Sequence, residues 1–332
     1  MKAITVKAPG GLDNLKAVER DLPELGPNEV LVRWHATSLN YHDLLVANGG
    51  IPVPDGRIPM SDGAGVIESA GTGATQWAKG DNVMSLFFPK WIHGGPTYAN
   101  TKGISGETVD GYACEYSILP ADAITRIPEG YSFAEAATLP CAALTAWRAL
   151  MVDGNLQAGQ SVLIEGSGGM SIFALQIAKA AGAKAYATTS SDEKAEVLKS
   201  MGAEAVINYR TDENWGKTIL KMTGGVDHVL DVGGNATFKQ SVEAARVGGH
   251  VCLIGILGGP KGSVLFPKLF FKHLKLSGLA VGSRDMQNDM VRAININGLK
   301  PVIDKSFALD ELKEAFEYQA SGKHFGKIVV EW

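Results

Sequence analysis

The pattern of apolar and polar positions divides this chain into two regions of different character. In residues 1–125, short apolar strand-like runs at residues 2–6, 30–36, 65–69 and 112–119 are separated by proline and glycine. From residue 161 onward, short apolar runs alternate with segments of helical spacing or connectors. The first pattern predicts a partly open β-barrel, and the second predicts a doubly wound parallel sheet, so the fold class is α/β.

The alternating region contains about six candidate strands, which lie at residues 161–165, 184–189, 205–209, 227–232, 250–254 and 275–281. Before it, residues 132–150 have helical spacing interrupted at Leu139-Pro140-Cys141, which predicts a helix break followed by a second helix. After it, residues 286–295 and 309–321 are predicted helices and residues 327–331 a strand. We therefore predict a first domain at 1–125, a second at 126–282, and a return to the first at 283–332.

A long polar segment at residues 87–111 contains several glycines and a proline. It exceeds the usual length of a connection between two strands. We therefore interpret it as a lobe or lid over a substrate pocket.

The most informative motif follows the strand predicted at residues 161–165. A tight glycine turn leads there into a helical segment, which places the free N–H groups of a helix N-terminus where a pyrophosphate can accept them. The match is G-x-G-G-x-S, with Ser171 at the third small position, so an ordinary strand-to-helix turn is the alternative. The surrounding alternation of strands and helices favours a dinucleotide site, whose predicted residues are Gly166, Ser167, Gly168, Gly169, Met170 and Ser171.

The end of the second strand of such a unit selects the dinucleotide, because a carboxylate there binds the adenosine 2′-hydroxyl and repels a 2′-phosphate. This chain has hydroxyl side chains at that point, and Asp192 is the residue that argues for NAD(H). The alternative is that Ser190 and Glu193 form a capping box and Lys194 is a solvated helix residue. We expect NADP(H), with Ser190, Ser191, Lys194 and Tyr209 near the 2′-phosphate.

Composition narrows the function class. The 332 residues are 45% hydrophobic, which is enough for two cores, and the net charge of −4 comes without a basic stripe. A nucleic-acid partner or an anionic membrane surface is therefore not expected, and no apolar run approaches the roughly 20 residues of a membrane span. The three cysteines lack CxxC spacing, which argues against a disulfide framework and fits a cytoplasmic location.

Several motifs together resemble one family, the medium-chain dehydrogenase/reductase superfamily, over essentially the full length of the chain. These motifs are Gly63-Ala64-Gly65-Val66, Gly80-Asp81-x-Val83, the segment from Leu139-Pro140-Cys141 to Thr145-Ala146, Gly166-Ser-Gly-Gly-Met-Ser171 and Phe325-Gly326-Lys327-Ile328-Val329. The resemblance implies a GroES-like catalytic domain and a Rossmann domain that together bind a nicotinamide cofactor.

The departures from the zinc-dependent members of that family are as informative as the matches. Their catalytic zinc is bound by a cysteine in Cys-x-x-Asp, by Gly-His-Glu and by a later cysteine. The corresponding residues here are Asn40, Ser61 and Cys141, so one of the three ligands remains. The four-cysteine structural lobe is also missing. We therefore expect a zinc-independent protein similar to quinone oxidoreductases and zinc-less alcohol dehydrogenases, although His42, Asp62 and Cys141 leave a rescued metal site open.

The resemblance also assigns roles to residues outside the motifs discussed so far. Without a metal, hydrogen-bond donors or a proton must stabilise the oxygen that becomes negative, and the candidates are Asn40, Tyr41 and His42. The alternative is that His42 is a partly buried histidine satisfied by the backbone. Cofactor contacts are implied for Thr145, Gly255, Ile256, Leu257 and Lys327.

We therefore expect an NADPH-dependent oxidoreductase that transfers hydride between nicotinamide and a small apolar carbonyl, alcohol, enone or quinone. The alternative is an NADPH-binding protein with a structural or sensing role and negligible turnover. An open parallel sheet leaves an apolar edge that needs covering, so a homodimer through the edge strand at residues 275–281 is also expected.

Overall fold

The computed structural model describes residues 1–264 and 266–332, which form two compact units. Unit 1 comprises Met1–Leu144 and Val281–Trp332, and unit 2 comprises Thr145–Ala280. The first boundary predicted from the sequence, at residue 125, precedes the end of unit 1. The difference arises because the helix that follows Ser132 packs on the sheet of unit 1, where the Phe133 ring stacks on His35 at 4.6 Å between centroids.

The first part of unit 1 is mainly β-structure. Its strands are β1 (Lys2–Val6), β2 (Leu15–Glu19), β3 (Glu29–Ser38), β4 (Ala64–Ala70), β5 (Asn82–Ser85), β6 (Tyr116–Pro120) and β7 (Ile124–Arg126), and its helices are α1 (Tyr41–Ala47), α2 (Tyr98–Thr101) and α3 (Phe133–Ala137). A π-helical turn at Leu139–Ala143 follows α3 and contains Pro140, as the predicted helix break requires. The strand predicted at 112–119 begins only at Tyr116, because the preceding residues pair instead with β1 through an isolated antiparallel bridge between Ala3 and Cys114.

Unit 2 alternates strands and helices. In chain order it contains α4 (Leu144–Trp147), which begins one residue before the boundary, then β8 (Ser161–Glu165), α5 (Gly169–Ala180), β9 (Lys184–Thr189), α6 (Asp192–Ser200), β10 (Ala205–Asn208), α7 (Trp215–Thr223), β11 (Val226–Asp231), α8 (Phe238–Ala244), β12 (Ala245–Leu253), α9 (Phe266–Phe271) and β13 (Lys275–Gly278). Strand β13 is shorter than predicted, and Val281 beyond it adopts a left-handed conformation with φ of 47°.

The described strands of unit 2 form a parallel sheet in the order β10-β9-β8-β11-β12-β13. In chain order, β9 and then β10 are added on one side of β8. The later strands β11, β12 and β13 are added on its other side. The carboxyl ends of β8 and β11 therefore border the switch point at which open α/β sheets bind ligands. A core formed by apolar residues of β8, β11 and β12, including Leu163, Val229 and Val251, anchors both strands.

The chain returns to unit 1 through α10 (Arg284–Asn297), β14 (Ile303–Ala308), α11 (Leu312–Ala320) and β15 (Lys327–Glu331). Strand β15 pairs with β3, so the last strand joins the sheet β14-β15-β3-β4-β5-β7, to which β6 is attached through β3. This pairing places Lys327 beside the end of β3 and the start of α1. In the described residues, no helix combines the length and the apolar character needed to span a bilayer.

Candidate functional site

The glycine turn of unit 2 has the geometry of a phosphate cradle. Gly166 adopts a positive φ of 78°, which lets the chain turn sharply after β8. A Cβ added at Gly168 would meet no atom within 4 Å, so the backbone borders open space there. No described side chain caps helix α5, and its first N–H groups therefore remain available to an anion. Ser171 is buried and donates to the backbone oxygen of Glu165, which fastens the helix to the strand.

The tips of β9 and β10 lie side by side, because Thr189 pairs with Asn208. This register brings Ser190 and Tyr209, which follow the two strands, to one edge of the sheet, and Lys194 lies in the first turn of α6. The helix cap is Ser191, whose hydroxyl accepts from the Lys194 backbone, so the predicted capping role of Ser190 is wrong. Asp192 accepts a hydrogen bond from the Asn208 side chain at 2.8 Å, which engages one of its carboxylate oxygens.

The other predicted cofactor residues of unit 2 occupy two further places. Thr145 is buried in α4. Gly255 follows β12, and its close approach to the Val232 backbone leaves no room for a Cβ. Ile256 and Leu257 expose 46% and 58% of their surfaces beside it, so this segment offers an uncovered apolar surface. Their contacts with a cofactor stay predictions.

Two buried carboxyl groups lie at the switch point, on the adjacent strands β8 and β11. The Ser241 hydroxyl is 2.6 Å from Glu165 Oε1 and 2.7 Å from Asp231 Oδ2. A hydroxyl carries one proton, so these two short contacts require a proton on one of the carboxyls. Burial raises the pKa of both groups, and the Asp231 charge raises the pKa of Glu165 further.

A second polar cluster lies in unit 1, around Asn40 at the start of α1. The Asn40 amide group donates to Asp62 Oδ2 at 2.8 Å and to the Ser61 hydroxyl at 3.2 Å. The Asn40 backbone N–H donates to Asp43 Oδ2, and Asp43 Oδ1 accepts from the Ser61 backbone N–H. Asn40, Asp43, Ser61 and Asp62 are all buried. Asp43 therefore fixes the relative positions of the two predicted segments, 40–43 and 60–62.

The backbone of the second segment is strained. Met60 has a φ of 79° although it is not glycine, which is costly for a side chain with a Cβ. Its carbonyl oxygen accepts from the Tyr112 backbone N–H, and a Cβ at Gly111 would collide with it. This strained turn directs Asp62 into the cluster, where burial raises the pKa of Asp62 to about 6 even though Lys327 opposes the shift. Strain of this kind is concentrated at functional sites.

The side chain of Lys327 belongs to the same cluster. It is only 3% exposed, and its ammonium donates to the Leu39 backbone oxygen and to Asn40 Oδ1, each at 2.7 Å. Asp62 Oδ2 lies 3.7 Å from the same nitrogen. The structure thus brings Lys327 together with Asn40, one of the predicted catalytic residues, and the cofactor role implied for Lys327 stays a prediction.

His42 lies next to the cluster and is held by two carboxylates. Its Nε2 is 2.7 Å from Glu107 Oε2, and its Nδ1 is 3.5 Å from Asp43 Oδ1. Burial alone lowers the pKa of a histidine, but the interactions with Asp43 and Glu107 outweigh burial and raise the pKa of His42 to about 9. His42 is therefore a cation at neutral pH, and the interpretation of a histidine satisfied by the backbone is wrong.

The remaining predicted residues differ in their relation to the cluster. Tyr41 exposes 40% of its surface, and no described hydrogen bond links its hydroxyl to the cluster. Cys141 is half-buried in the π-helical turn, where burial and the Asp62 charge raise the pKa of its thiol well above the usual value. The predicted lobe at residues 87–111 contributes Phe87, whose ring packs edge-on against the His42 ring.

The sequence alone did not predict the partners of His42 and Asn40. Glu107 lies 65 positions after His42, and no local spacing marks it as an ion-pair partner. Lys327 is 287 positions from Asn40. The detectable signals are a glutamate among the polar and charged residues of the lobe and a lysine that opens an apolar strand.

Comparison with known proteins identifies the family. The model described as "Alcohol dehydrogenase GroES-like domain" matches residues 26–129, and the model described as "Zinc-binding dehydrogenase" matches residues 169–295. A "zinc-type alcohol dehydrogenase-like protein" of Schizosaccharomyces pombe is 42% identical over 331 residues, which cover 96% of each chain.

Two solved structures extend the comparison. An NAD-dependent alcohol dehydrogenase superposes with a TM-score of 0.92 at 31% identity and full coverage of both chains. The 2-octenoyl-CoA carboxylase reductase CinF, solved with NADP and 2-octenoyl-CoA, superposes with a TM-score of 0.88 at 26% identity, covering 99% of this chain and 87% of its own. With its GroES-like domain and its Rossmann-type parallel sheet, this chain belongs to the medium-chain dehydrogenase/reductase superfamily and is an oxidoreductase of the alcohol dehydrogenase-like type.

Proposed function

We propose that the protein is an NADP(H)-dependent oxidoreductase that works without a catalytic zinc. Its substrate is a small apolar carbonyl, enone or quinone, or the alcohol in the reverse direction. The observation that carries the proposal is the uncapped N-terminus of α5 behind a glycine turn, at the switch point of the parallel sheet. When bound there, the nicotinamide dinucleotide supplies or accepts the hydride.

The choice of NADP(H) rests on the side chains at the tips of β9 and β10. No carboxylate occupies the end of β9, where Thr189 and Ser190 supply hydroxyls. Asp192, the residue that favours NAD(H), is engaged by Asn208. Lys194 can offer a charge-assisted hydrogen bond to a 2′-phosphate. NADP is bound in the CinF structure, whereas the other solved relative is named as NAD-dependent, so the family itself leaves the choice open.

The proposed independence from zinc rests on the chemistry of the unit 1 cluster. Zinc in proteins prefers thiolate, imidazole and carboxylate ligands. Asn40 Oδ1 already accepts from the Lys327 ammonium, and Asp62 Oδ2 already accepts from Ser38 and Asn40. A divalent cation on these oxygens would lie against the lysine charge. Among the described residues, no group of three or more histidine, cysteine, aspartate or glutamate side chains is arranged to hold a metal ion.

His42 is the proposed proton donor. Carbonyl reduction leaves a negative oxygen that must receive a proton, and His42 carries one throughout the neutral range because its pKa is about 9. Glu107 and Asp43 hold the imidazolium in place. Asn40 and Asp43 fix the start of α1, and thereby the position of His42 in its first turn.

Steady-state oxidation of NADPH in the presence of a panel of carbonyls, enones and quinones tests the proposal. We expect turnover with at least one acceptor class and a lower KM for NADPH than for NADH. Tight NADPH binding without turnover on any acceptor would favour the alternative of a structural or sensing protein. A preference for NADH would reassign the adenosine contact to Asp192.

Elemental analysis tests the metal assignment separately. The purified protein should contain less than about one tenth of an equivalent of zinc and should keep its activity in chelator. Stoichiometric zinc that is lost together with activity would refute zinc independence while leaving the coenzyme assignment intact.

We also propose a homodimer through β13. This strand ends the described sheet, and Leu276 on it is 39% exposed. The neighbouring helix α9 exposes Phe266, Phe270 and Phe271, each over more than half of its surface. An exposed sheet edge with apolar side chains needs a partner, and a second copy supplies an equivalent edge.

A further inference from the structure

Lys327 is a buried cation in the unit 1 cluster, whose segments 40–43 and 60–62 are the ones that the resemblance matches to metal-binding segments of the zinc-dependent family members. Its ammonium touches Asn40 Oδ1 and lies 3.7 Å from Asp62 Oδ2. By the same resemblance, Asn40 and Cys141 match two of the three positions at which the zinc-dependent members have a ligand. The site therefore contains a positive charge that belongs to the protein itself.

The hydrogen bonds of this cluster leave one donor and one acceptor unused. A lysine ammonium has three N–H donors, and the described residues accept two of them, through Leu39 and Asn40. Asp62 Oδ1 is buried and has no hydrogen-bond partner among the described residues. If Lys327 and Asp62 served only to stabilise the fold, the third N–H of Lys327 and the Oδ1 atom of Asp62 would be expected to have hydrogen-bond partners. Buried polar groups without partners reduce stability.

We propose that Lys327 is a catalytic residue whose ammonium replaces the metal ion, donating its third N–H to the substrate oxygen. This inference rests on the proposed function. In the reduction, the carbonyl carbon gains a hydride from the reduced nicotinamide, which would be oxidised, and the C=O π bond breaks with its electron pair moving to oxygen. That oxygen then takes the proton of His42 Nδ1, which makes no hydrogen bond among the described residues, and His42 regains a proton from solvent. Lys327 keeps its own proton and stabilises the negative charge as it develops.

The surrounding residues hold the ammonium for this role. Leu39 and Asn40 fix its position from the end of β3 and the start of α1, and Asp62 compensates its charge without a direct hydrogen bond.

The test compares Lys327→Met with the wild-type enzyme, using exposed Lys323→Met as the matched control. We expect kcat for carbonyl reduction to fall by about 10²- to 10³-fold, the usual effect of removing one oxyanion donor, while the Kd for NADPH changes less than about threefold. The control should match the wild-type enzyme. A folded Lys327→Met variant whose kcat stays within about twofold of wild type would overturn the proposal.

Because Lys327→Met leaves Asp62 buried without a counter-charge, that variant could fail to fold. The double variant Lys327→Met/Asp62→Asn removes both charges and should regain the wild-type melting temperature without regaining activity. If the double variant folds and turns over like the wild-type enzyme, Lys327 is not catalytic.

Chemical rescue gives an independent readout. Methylammonium should raise the kcat of Lys327→Ala in proportion to its concentration, whereas tetramethylammonium, which has no N–H donor, should not. Equal effects of the two salts would contradict the proposed hydrogen bond. Wild-type enzyme without turnover on any acceptor would instead refute the proposed function, and the role of Lys327 with it.

Discussion

Replacing Glu107 by glutamine tests the charge state of His42 directly. Glutamine keeps an oxygen acceptor near His42 Nε2 but removes the carboxylate charge that lies 2.7 Å away. The difference between the pKa of about 9 and the usual 6.5 corresponds to about 3 kcal/mol in favour of the imidazolium. Asp43 remains at 3.5 Å in the variant. We therefore expect Glu107→Gln to remove roughly half of this preference and to lower the pKa of His42 by about 1 to 1.5.

Two measurements report the expected change in the pKa of His42. NMR titration of ¹³C-labelled histidine should give a wild-type midpoint near 9 for His42 and a midpoint between about 7.5 and 8 for the variant. The alkaline limb of the pH profile of kcat/KM for carbonyl reduction should move by the same amount, because the reaction needs His42 protonated. Glu129→Gln, at an exposed glutamate, is the matched control.

Stability gives a third readout with a definite sign. A histidine whose pKa is raised in the folded state stabilises the protein fully below pH 6.5, and this stabilisation is lost as the pH rises through about 9. The wild-type melting temperature should therefore fall between pH 6.5 and 10, and that of Glu107→Gln should fall less. A wild-type midpoint near 6.5, or equal midpoints in the two proteins, would refute the assigned ion pair.

Four further predictions concern other parts of the molecule. Lys194→Ala should raise the KM for NADPH about ten- to a hundredfold more than that for NADH with little change in kcat, and equal losses would remove Lys194 from the 2′-phosphate site. Burial and the nearby His228 lower the pKa of His250 to about 4, so wild-type stability should fall as the pH falls from 6.5 toward 4, and thermal melts of His250→Asn should show a flatter dependence. Because the pKa of Glu165 is raised from 4.5 to about 8 in the folded state, stability should decline as the pH rises from 4.5 to about 8, and Glu165→Gln, which cannot ionise, should melt with less dependence on pH in that range. Leu276→Asp should convert the proposed dimer to a monomer in sedimentation velocity, and a wild-type protein that sediments as a monomer at micromolar concentration would contradict the interface.

Much of the fold was readable from local pattern. The strands at 161–165, 184–189 and 327–331 match β8, β9 and β15, because each is a short, mostly buried run of residues that favour strands. Strand β14 was missed, since Ile303–Ala308 mixes charged residues with apolar ones. The start of β12 was also missed, because its first residues run through a glycine pair that resembles a turn.

The sequence by itself determined the glycine turn, the hydroxyl-rich tip of β9 and the presence of asparagine and serine at positions 40 and 61, because each is a matter of residue identity at short spacing. Only the tertiary structure decided which groups meet. The antiparallel pairing of β15 with β3 brings Lys327 to Asn40, and the lobe after Phe87 brings Glu107 to His42. The charge states follow from those contacts, since a pKa depends on burial and on neighbouring charges rather than on residue type.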